Sequence, residues 1–83
     1  MFHRDLFGAR LRKLRKKSKQ SQQDIADLLG IKQNQVSEME SGRTTTSFER
    51  LYILCEYFDV SADYLLGLTN EPRPLREKDN ENV

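Results

Sequence analysis

Three consecutive amide side chains, Gln33, Asn34 and Gln35, form the most chemically specific feature of this sequence. An amide presents a hydrogen-bond donor beside an acceptor, and this pair matches the N6/N7 edge of adenine in the major groove of a DNA duplex. A surface packed against the protein interior would not carry such a run, because buried amides need all of their hydrogen bonds satisfied. The run is therefore either idle solvent-exposed surface or a surface that reads base edges.

Two polar residues, Ser37 and Glu38, follow the amides closely. Glu38 lies one turn further along the same face and is able to accept a hydrogen bond from N4 of cytosine, although a carboxylate also repels phosphates. Plain solvent exposure of Glu38 is an equally good interpretation. Gln35 and Ser37 are expected to contact base edges or the DNA backbone, depending on the docking angle. The candidate base contacts are therefore Gln33, Asn34, Gln35, Ser37 and Glu38.

Cations, hydroxyls and one amide around this segment are candidates for contacts to DNA phosphates. Arg, Lys and Thr side chains bind phosphate oxygens without reading the sequence. The amide, that of Gln22, begins a helix whose free N–H groups also attract phosphate. A polar loop without function is the alternative for the threonines, and a solvated first turn is the alternative for Gln22. The candidate phosphate contacts are Gln22, Lys17, Lys19, Lys32, Arg43, Thr44, Thr45 and Thr46.

Positive charge is concentrated at the start of the chain. The 83 residues carry a formal net charge of only +1, but residues 1–20 hold eight basic residues against Asp5 alone, a net charge of +7. The remaining residues hold six basic and 12 acidic residues, a net charge of −6. Such a molecule can hold a basic face against phosphates while staying near neutral overall. From charge alone, a merely solvated helix face is an equally good interpretation.

Apolar spacing and capping residues predict five helices and no strands. Ser21, Ser47 and Ser61 are placed to cap helices, and Gly30 and Gly67 are placed to end them. The predicted helices are 5–18, 22–29, 33–40, 48–58 and 62–67. The second and third helices, joined by a tight glycine turn, would meet at a steep angle. Such a unit can place its second helix in the major groove, which is about 12 Å wide.

These helices predict one compact all-α domain over residues 1–68. After Asn70 the composition changes to a charged stretch with two prolines, so residues 69–83 are predicted to be a disordered or extended tail. The alternative is that its Pro-Arg-Pro-Leu stretch docks on a partner subunit. No apolar run approaches the roughly 20 residues needed to span a membrane, and the N-terminus lacks the apolar stretch of a signal peptide. These two absences predict a cytoplasmic protein.

Apolar residues at helical spacing are predicted to form the core, with Cys55 as a small buried hydrophobe. The tyrosines are harder to place, because tyrosine either seals a core edge with its hydroxyl in water or lies at an interface. We predict a dimer contact that includes Tyr57, Tyr64 and Leu68. The predicted core comprises Phe7, Leu11, Leu14, Ile25, Ala26, Leu29, Ile31, Val36, Met39, Phe48, Leu51, Leu54, Cys55, Phe58, Val60 and Leu65.

The sequence contains few residues that could support catalysis or bind a metal. Cys55 is the single cysteine and His3 the single histidine. An intrachain disulfide and a pair of thiolate ligands for zinc are therefore excluded. The sequence also offers almost no residues that could pair as a catalytic nucleophile and its general base. We predict that the protein is not an enzyme and that it holds no metal and no cofactor.

Several short motifs occur in an order and at a spacing that resemble one known family. They are Ser21-Gln22-Gln23-Asp24-Ile25-Ala26, Leu29-Gly30-Ile31, Val36-Ser37, Glu40-Ser41-Gly42-Arg43 and Val60-Ser61-Ala62-Asp63-Tyr64-Leu65-Leu66-Gly67. From Phe7 to about Gly67 the sequence resembles the phage-repressor and Cro-like helix-turn-helix family, also called the xenobiotic-response-element type. The resemblance implies a five-helix, lambda-repressor-like DNA-binding domain.

The resemblance also implies a function. It indicates a sequence-specific regulator of transcription, expected to be a repressor, that reads double-stranded DNA with helix 33–40. It implies that Gln22 braces the first recognition residue, and that Arg15 and Glu40 form a structural, partly buried ion pair without contacting DNA. We expect a homodimer on a palindromic operator, with half-sites about 34 Å apart or a multiple of it. The rival interpretation is a protein-interaction module of the antitoxin or anti-repressor type.

Overall fold

The computed structural model describes residues 1–74, and every regular element within them is a helix. The helices are α1 (Arg4–Lys17), α2 (Gln22–Leu29), α3 (Gln33–Glu40), α4 (Phe48–Phe58) and α5 (Ala62–Leu66). The predicted all-α fold is confirmed, and the ends of α2, α3 and α4 are those predicted. The ends of α1 and α5 differ by one residue, which is within the usual fraying of helix termini. Residues 75–83, most of the predicted tail, lie outside the described residues.

Local signals fix both ends of α2. The Ser21 side chain accepts a hydrogen bond from the Asp24 N–H (3.0 Å), and the Asp24 carboxylate accepts one from the Ser21 N–H (2.8 Å). This capping box satisfies two N–H groups that the helix leaves free. At the other end Gly30 takes a left-handed conformation with φ +70°, and the Ile31 N–H donates to the Ala26 carbonyl at 3.0 Å. A tight turn therefore leads directly from α2 into α3.

The capping box predicts a pH dependence. Hydrogen bonds from the backbone and then from the side chain of Ser21 lower the pKa of Asp24 below its ordinary value of 3.8. Because the folded pKa is the lower one, the stabilisation is present above the unfolded pKa and is lost as the pH falls through the folded pKa. We expect Asp24→Asn to lower the Tm slightly at pH 7 and the deficit to shrink toward pH 2. Thermal unfolding followed by circular dichroism checks this, and a deficit independent of pH would contradict it.

The core lies where all five helices meet. Each helix contributes at least one large side chain with no exposed surface, in chain order Leu11, Ile25, Val36, Leu54 and Leu65. α1 packs against α3 and α5, α2 packs against α3, and α4 packs against α5. Burial of side chains of this size contributes about 1.5–3 kcal/mol each, so the short helices depend on this shared core for their stability.

One predicted core residue, Phe48, is wrongly placed by the sequence argument. Its side chain is 88% exposed, whereas the other predicted core residues are buried or pack against the core. Phe48 is the first residue of α4. Helical side chains point toward the N-terminus of their helix, so the Phe48 ring extends beyond the end of α4 and has no earlier turn to pack on.

Gly8 allows α1 to approach the C-terminal end of α3 closely. A Cβ atom at residue 8 would lie 2.7 Å from the carbonyl oxygen of Glu40 and closer still to that of Met39. Both are backbone atoms, so they could give way only if the two helices moved apart. The position of α3 on the domain therefore depends on the missing side chain at Gly8.

Arg10 is a buried cation that ties α1 to the last residues described. Its guanidinium donates to the carbonyl oxygens of Tyr64 and Thr69 and to Oδ1 of Asn70 (2.8 Å), and it lies 4.3 Å from the centroid of the Tyr64 ring. Tyr64 is only 4% exposed, so the prediction that it lies at a dimer contact is wrong. Its ring faces inward because a desolvated guanidinium over an aromatic face is a favourable pairing.

The chain beyond residue 68 also packs on the domain. The Ser61 N–H donates to the Arg73 carbonyl at 3.0 Å, and a guanidinium nitrogen of Arg73 lies 3.7 Å from an Asp63 carboxylate oxygen. Together with the hydrogen bonds of Arg10, these contacts carry the packed chain past the predicted domain boundary. Ser61, predicted to cap α5 with its side chain, makes no such hydrogen bond.

Candidate nucleic-acid interface

α3 has an apolar side that faces the core and a polar side that faces solvent. Val36 and Met39 are buried and hold the helix in place. The amides predicted to read bases therefore lie on the outer face of a short helix that is fixed from within. The exposed residues of this face are Gln33, Asn34, Gln35 and Ser37, and Glu38 is half-buried.

A two-pronged ion pair joins α1 to the end of α3. Arg15 donates from Nε to Oε2 of Glu40 at 2.6 Å and from Nη2 to Oε1 at 3.0 Å, and its third contact is the Gln20 carbonyl at 2.9 Å. The side chains of Arg15 and Glu40 are 10% and 4% exposed. The hydrogen bonds that Arg15 donates to Glu40 hold the pKa of Arg15 above its ordinary value, against the desolvation that lowers it. Both residues also line a groove between α1, α2 and α3, but their side chains are so little exposed that each charge is met chiefly by the other.

Glu40 also orients a chain of two amides that runs toward the outer face of α3. Gln22 donates from Nε2 to Oε1 of Glu40 at 3.1 Å, and Gln33 donates from Nε2 to Oε1 of Gln22 at 3.5 Å. An ionised carboxylate accepts hydrogen bonds and cannot donate them. Gln22 must therefore turn its nitrogen toward Glu40 and its oxygen toward Gln33.

The hydrogen bond from Gln33 is long, at 3.5 Å between exposed side chains, and it favours one orientation of the Gln33 amide. Since Gln22 presents an oxygen, Gln33 turns its nitrogen inward and keeps its Oε1 and a second Nε2 hydrogen for a ligand. Both groups lie at the exposed N-terminal end of α3. Adenine offers a donor at N6 and an acceptor at N7, which this pair of groups complements.

Gln35 has a structural task that the sequence did not indicate. Its Oε1 accepts a hydrogen bond from the Lys32 N–H at 2.9 Å. Lys32 precedes the first residue of α3 and has no side-chain acceptor of its own, so Gln35 satisfies an N–H group that the helix start leaves free. The amide nitrogen of Gln35 and the second lone pair of its Oε1 remain for a contact to DNA.

A groove of about 260 Å³ opens between α1, α2 and α3 beside the outer face of α3, and its lining includes a cation that sequence reasoning missed. Its lining includes Arg12, Gln22, Ser37 and Ser41. Arg12 is exposed, and the basic face of α1 was the signal that could have singled it out. Of the predicted phosphate contacts, Gln22 and Thr46 are half-buried and the rest, namely Lys17, Lys19, Lys32, Arg43, Thr44 and Thr45, are exposed.

This arrangement is that of a helix-turn-helix protein, and the chain belongs to the Helix-turn-helix family, of the Cro/C1 type, whose match covers residues 11–65. It is 36% identical over 75 residues to the uncharacterized HTH-type transcriptional regulator YobD of Bacillus subtilis, covering 90% of this chain and 67% of that protein. It is 47% identical over 58 residues to the HTH-type transcriptional regulator AnsR of the same organism, covering 70% of this chain and 50% of AnsR.

Structural similarity agrees with the family. The P22 c2 repressor, solved in complex with a synthetic operator, matches with a TM-score of 0.69 and 34% identity over 74% of this chain and 92% of that one. One further relative, the antitoxin PezA of Streptococcus pneumoniae, is 29% identical over 87% of this chain and 46% of its own length. The chain thus spans about half to two thirds of the length of these curated relatives. The family and the relatives YobD and AnsR are transcriptional regulators and not enzymes.

The single cysteine, Cys55, lies in the interior of the domain. Cys55 is 5% exposed, and its burial raises the pKa of the thiol, so the reactive thiolate is disfavoured.

Within residues 1–74, none of the helices combines the length and the apolar character that crossing a membrane requires.

Proposed function

We propose that this chain is a sequence-specific repressor of transcription that reads the major groove of double-stranded DNA with α3. The hydrogen-bond chain from Glu40 through Gln22 to Gln33 carries the proposal, because it favours one orientation of a recognition amide before DNA arrives. A preset donor–acceptor pair loses little freedom on binding. Gln33 and Asn34 take the direct base contacts, and Gln35, Ser37 and Glu38 contact base edges or the backbone beside them.

The DNA backbone contacts are assigned to the residues around this face. The second Nε2 hydrogen of Gln22 and the free N–H groups at the start of α2 suit one phosphate. Arg12, which lines the groove beside Gln22, suits the next. The remaining assigned contacts are Lys17, Lys19, Lys32, Arg43, Thr44, Thr45 and Thr46.

The proposed assembly on DNA is a homodimer on a palindromic operator, with half-sites about 34 Å apart or a multiple of it. A single helix of eight residues makes few base contacts, and a second half-site multiplies the specificity. Repression follows if the bound dimer occupies DNA that polymerase requires. We place this activity in the cytoplasm, where bacteria such as those of the relatives keep their DNA.

A second candidate function is that of an antitoxin, in which the same fold binds a partner protein. The similarity to PezA favours it. In that case the outer face of α3 would tolerate substitution and DNA binding would be weak, so one experiment separates the two functions.

The experiment is a selection from random duplex DNA, followed by titration of the enriched site with wild type, Gln33→Ala and Gln23→Ala. Gln23 is the matched control, since it is an exposed glutamine one helix away whose amide bonds to Asp27. We expect a palindrome to be enriched and Gln33→Ala to lose about 1–3 kcal/mol of binding free energy, while Gln23→Ala binds as wild type. Absence of an enriched site, or equal binding by all three proteins, would contradict the proposal.

A further inference from the structure

Glu38 places a carboxylate at the edge of the outer face of α3, one helical turn beyond Asn34. Its side chain is half-buried, and its backbone is held in place. The Glu38 carbonyl accepts hydrogen bonds from the Arg43 N–H at 3.0 Å and from the Ser41 hydroxyl at 2.9 Å. DNA phosphates repel a carboxylate that is brought close to them. Glu38 therefore opposes DNA binding by this face unless a cation offsets its charge.

Arg50 of α4 supplies a cation beside this carboxylate. A groove of about 130 Å³ lies between the outer side of α3 and the start of α4, and its lining includes Gln35, Glu38, Arg50 and the loop residues 44–46. Arg50 is half-buried, as Glu38 is. Within residues 1–74, no ion pair joins Arg50 to Glu38. The two opposite charges thus border one small groove without being paired to each other.

The start of α4 does not explain why residue 50 is an arginine. Arg50 is the third residue of α4, and the positive end of a helix dipole disfavours a cation there. The Arg50 N–H donates to the Ser47 hydroxyl at 3.2 Å, a contact that any residue except proline could make. The stem of Arg50 can cover Ile31 and Met39, which line the same groove, but an uncharged side chain could cover them as well. The charge of Arg50 therefore calls for a partner.

We infer that Arg50 is a specificity-determining residue that acts through Glu38, an inference that rests on the proposed function. On DNA the guanidinium pairs with the Glu38 carboxylate across the groove and offsets its repulsion from the phosphates. A carboxylate has lone pairs for more than one donor, so Glu38 can accept from Arg50 and also from N4 of a cytosine in the major groove. Arg50 is thus a positioning residue, and Glu38 makes the base contact.

The surroundings of the groove agree with this role. The loop residues 44–46, which are assigned to the DNA backbone, line the groove, and Asn34, which is assigned to bases, lies one turn before Glu38. Glu38 therefore lies between the assigned base contacts and the assigned backbone contacts, where the repulsion of a phosphate is strongest. If Arg50 instead bound a phosphate directly, it would strengthen binding to every DNA sequence alike.

The test compares wild type with Arg50→Met, Glu38→Ala and the double variant on the site that wild type selects from random duplex DNA. Each protein is titrated onto this site and onto the same site with the cytosine assigned to Glu38 replaced by thymine, at several salt concentrations. Arg43→Met is the matched control, since it removes an exposed arginine from the neighbouring loop. Arg50→Lys keeps the charge, and thermal unfolding verifies that each variant folds.

We expect wild type to prefer cytosine over thymine by about 5–150-fold at one position of each half-site, the usual worth of a good base contact. Glu38→Ala and Arg50→Met should each lose most of this preference, the double variant should lose no more than either, and Arg50→Lys should keep it. Arg43→Met should keep the preference, weaken binding to both sites equally and lower the slope of log affinity against log salt by about 1.

The other outcomes separate the inference from the proposed function. Equal weakening of both sites by Arg50→Met, with a lower salt slope, would make Arg50 a phosphate contact and overturn the inference. An Arg50→Met variant that binds both sites as wild type would overturn it too, as would a Glu38→Ala variant with an unchanged base preference. In each of these cases the proposed function would stand. Wild type that selects no site would refute the proposed function, and the inference with it.

Discussion

Glu40→Ala is expected to lower the free energy of unfolding by about 3–5 kcal/mol, because it leaves the Arg15 guanidinium buried without its counter-charge. The Arg15 side chain is 10% exposed and that of Glu40 is 4% exposed, so the guanidinium has little contact with water to offset the lost carboxylate. Gln22 loses its acceptor in the same variant. Urea denaturation followed by circular dichroism measures the loss.

The control removes both charges together. Arg15→Met/Glu40→Leu leaves no orphaned ion, and well-packed apolar replacements of a buried pair are often neutral or stabilising. We expect the double variant to recover most of the stability that Glu40→Ala loses. A loss below about 1 kcal/mol in Glu40→Ala would mean that the pair behaves as an exposed surface ion pair, and the burial argument would then fail.

Gly8→Ala is expected to destabilise the domain by about 2–3 kcal/mol, since overpacking a tight contact costs this much. The sign is informative, because alanine is the better helix former by about 1 kcal/mol and would stabilise an isolated α1. The new methyl group meets the carbonyl oxygens of Met39 and Glu40, so it must push α1 away from α3. Chemical denaturation measures the effect.

Ala9→Gly is the matched control for Gly8→Ala. Ala9 is the next residue of α1 and is exposed, so its substitution reports the local helix preference alone, a loss of about 1 kcal/mol. Gly8→Ala should therefore lower the free energy of unfolding more than Ala9→Gly does, although Gly8→Ala introduces the better helix former and Ala9→Gly removes it. A stabilised Gly8→Ala variant would show that α1 and α3 separate without cost.

The helix ends were predictable because they depend on interactions between residues that are close in the sequence. The capping box of Ser21 and Asp24, the left-handed Gly30 and the Ser47 oxygen that accepts from the Arg50 N–H at 3.2 Å all act within four residues. Chemistry of this range can be read from a sequence. The spacing of the motifs that resemble the helix-turn-helix family then predicted how the helices are arranged.

Contacts between distant residues were not predictable in the same way. Arg10 lies in a basic stretch that reads as solvated, yet it binds carbonyl groups more than 50 residues away. The inward position of Tyr64 follows from that contact. Phe48 obeys the apolar spacing of α4, but spacing does not show that nothing lies over the first turn of a helix.

The same distinction between local and distant contacts applies to the candidate site. Residue types and their place on α3 were sufficient to nominate Gln33 and Asn34. The direction in which each amide points was not available, because it depends on Glu40, which is seven residues from Gln33 and 18 from Gln22 along the chain. The same holds for Arg12, which lies near the reading face only through the packing of α1 on α3.

The chain of hydrogen bonds behind Gln33 has a consequence for how such a domain acquires a new operator. Asn34 and Ser37 are exposed and stand apart from that chain, so under the proposed function we expect their exchange to change the bases read and to leave the fold as it is. Gln33 is coupled through Gln22 to the buried ion pair. New specificities should therefore evolve, or be engineered, first at Asn34 and Ser37, while changes at Gln33 need a compensating change at Gln22.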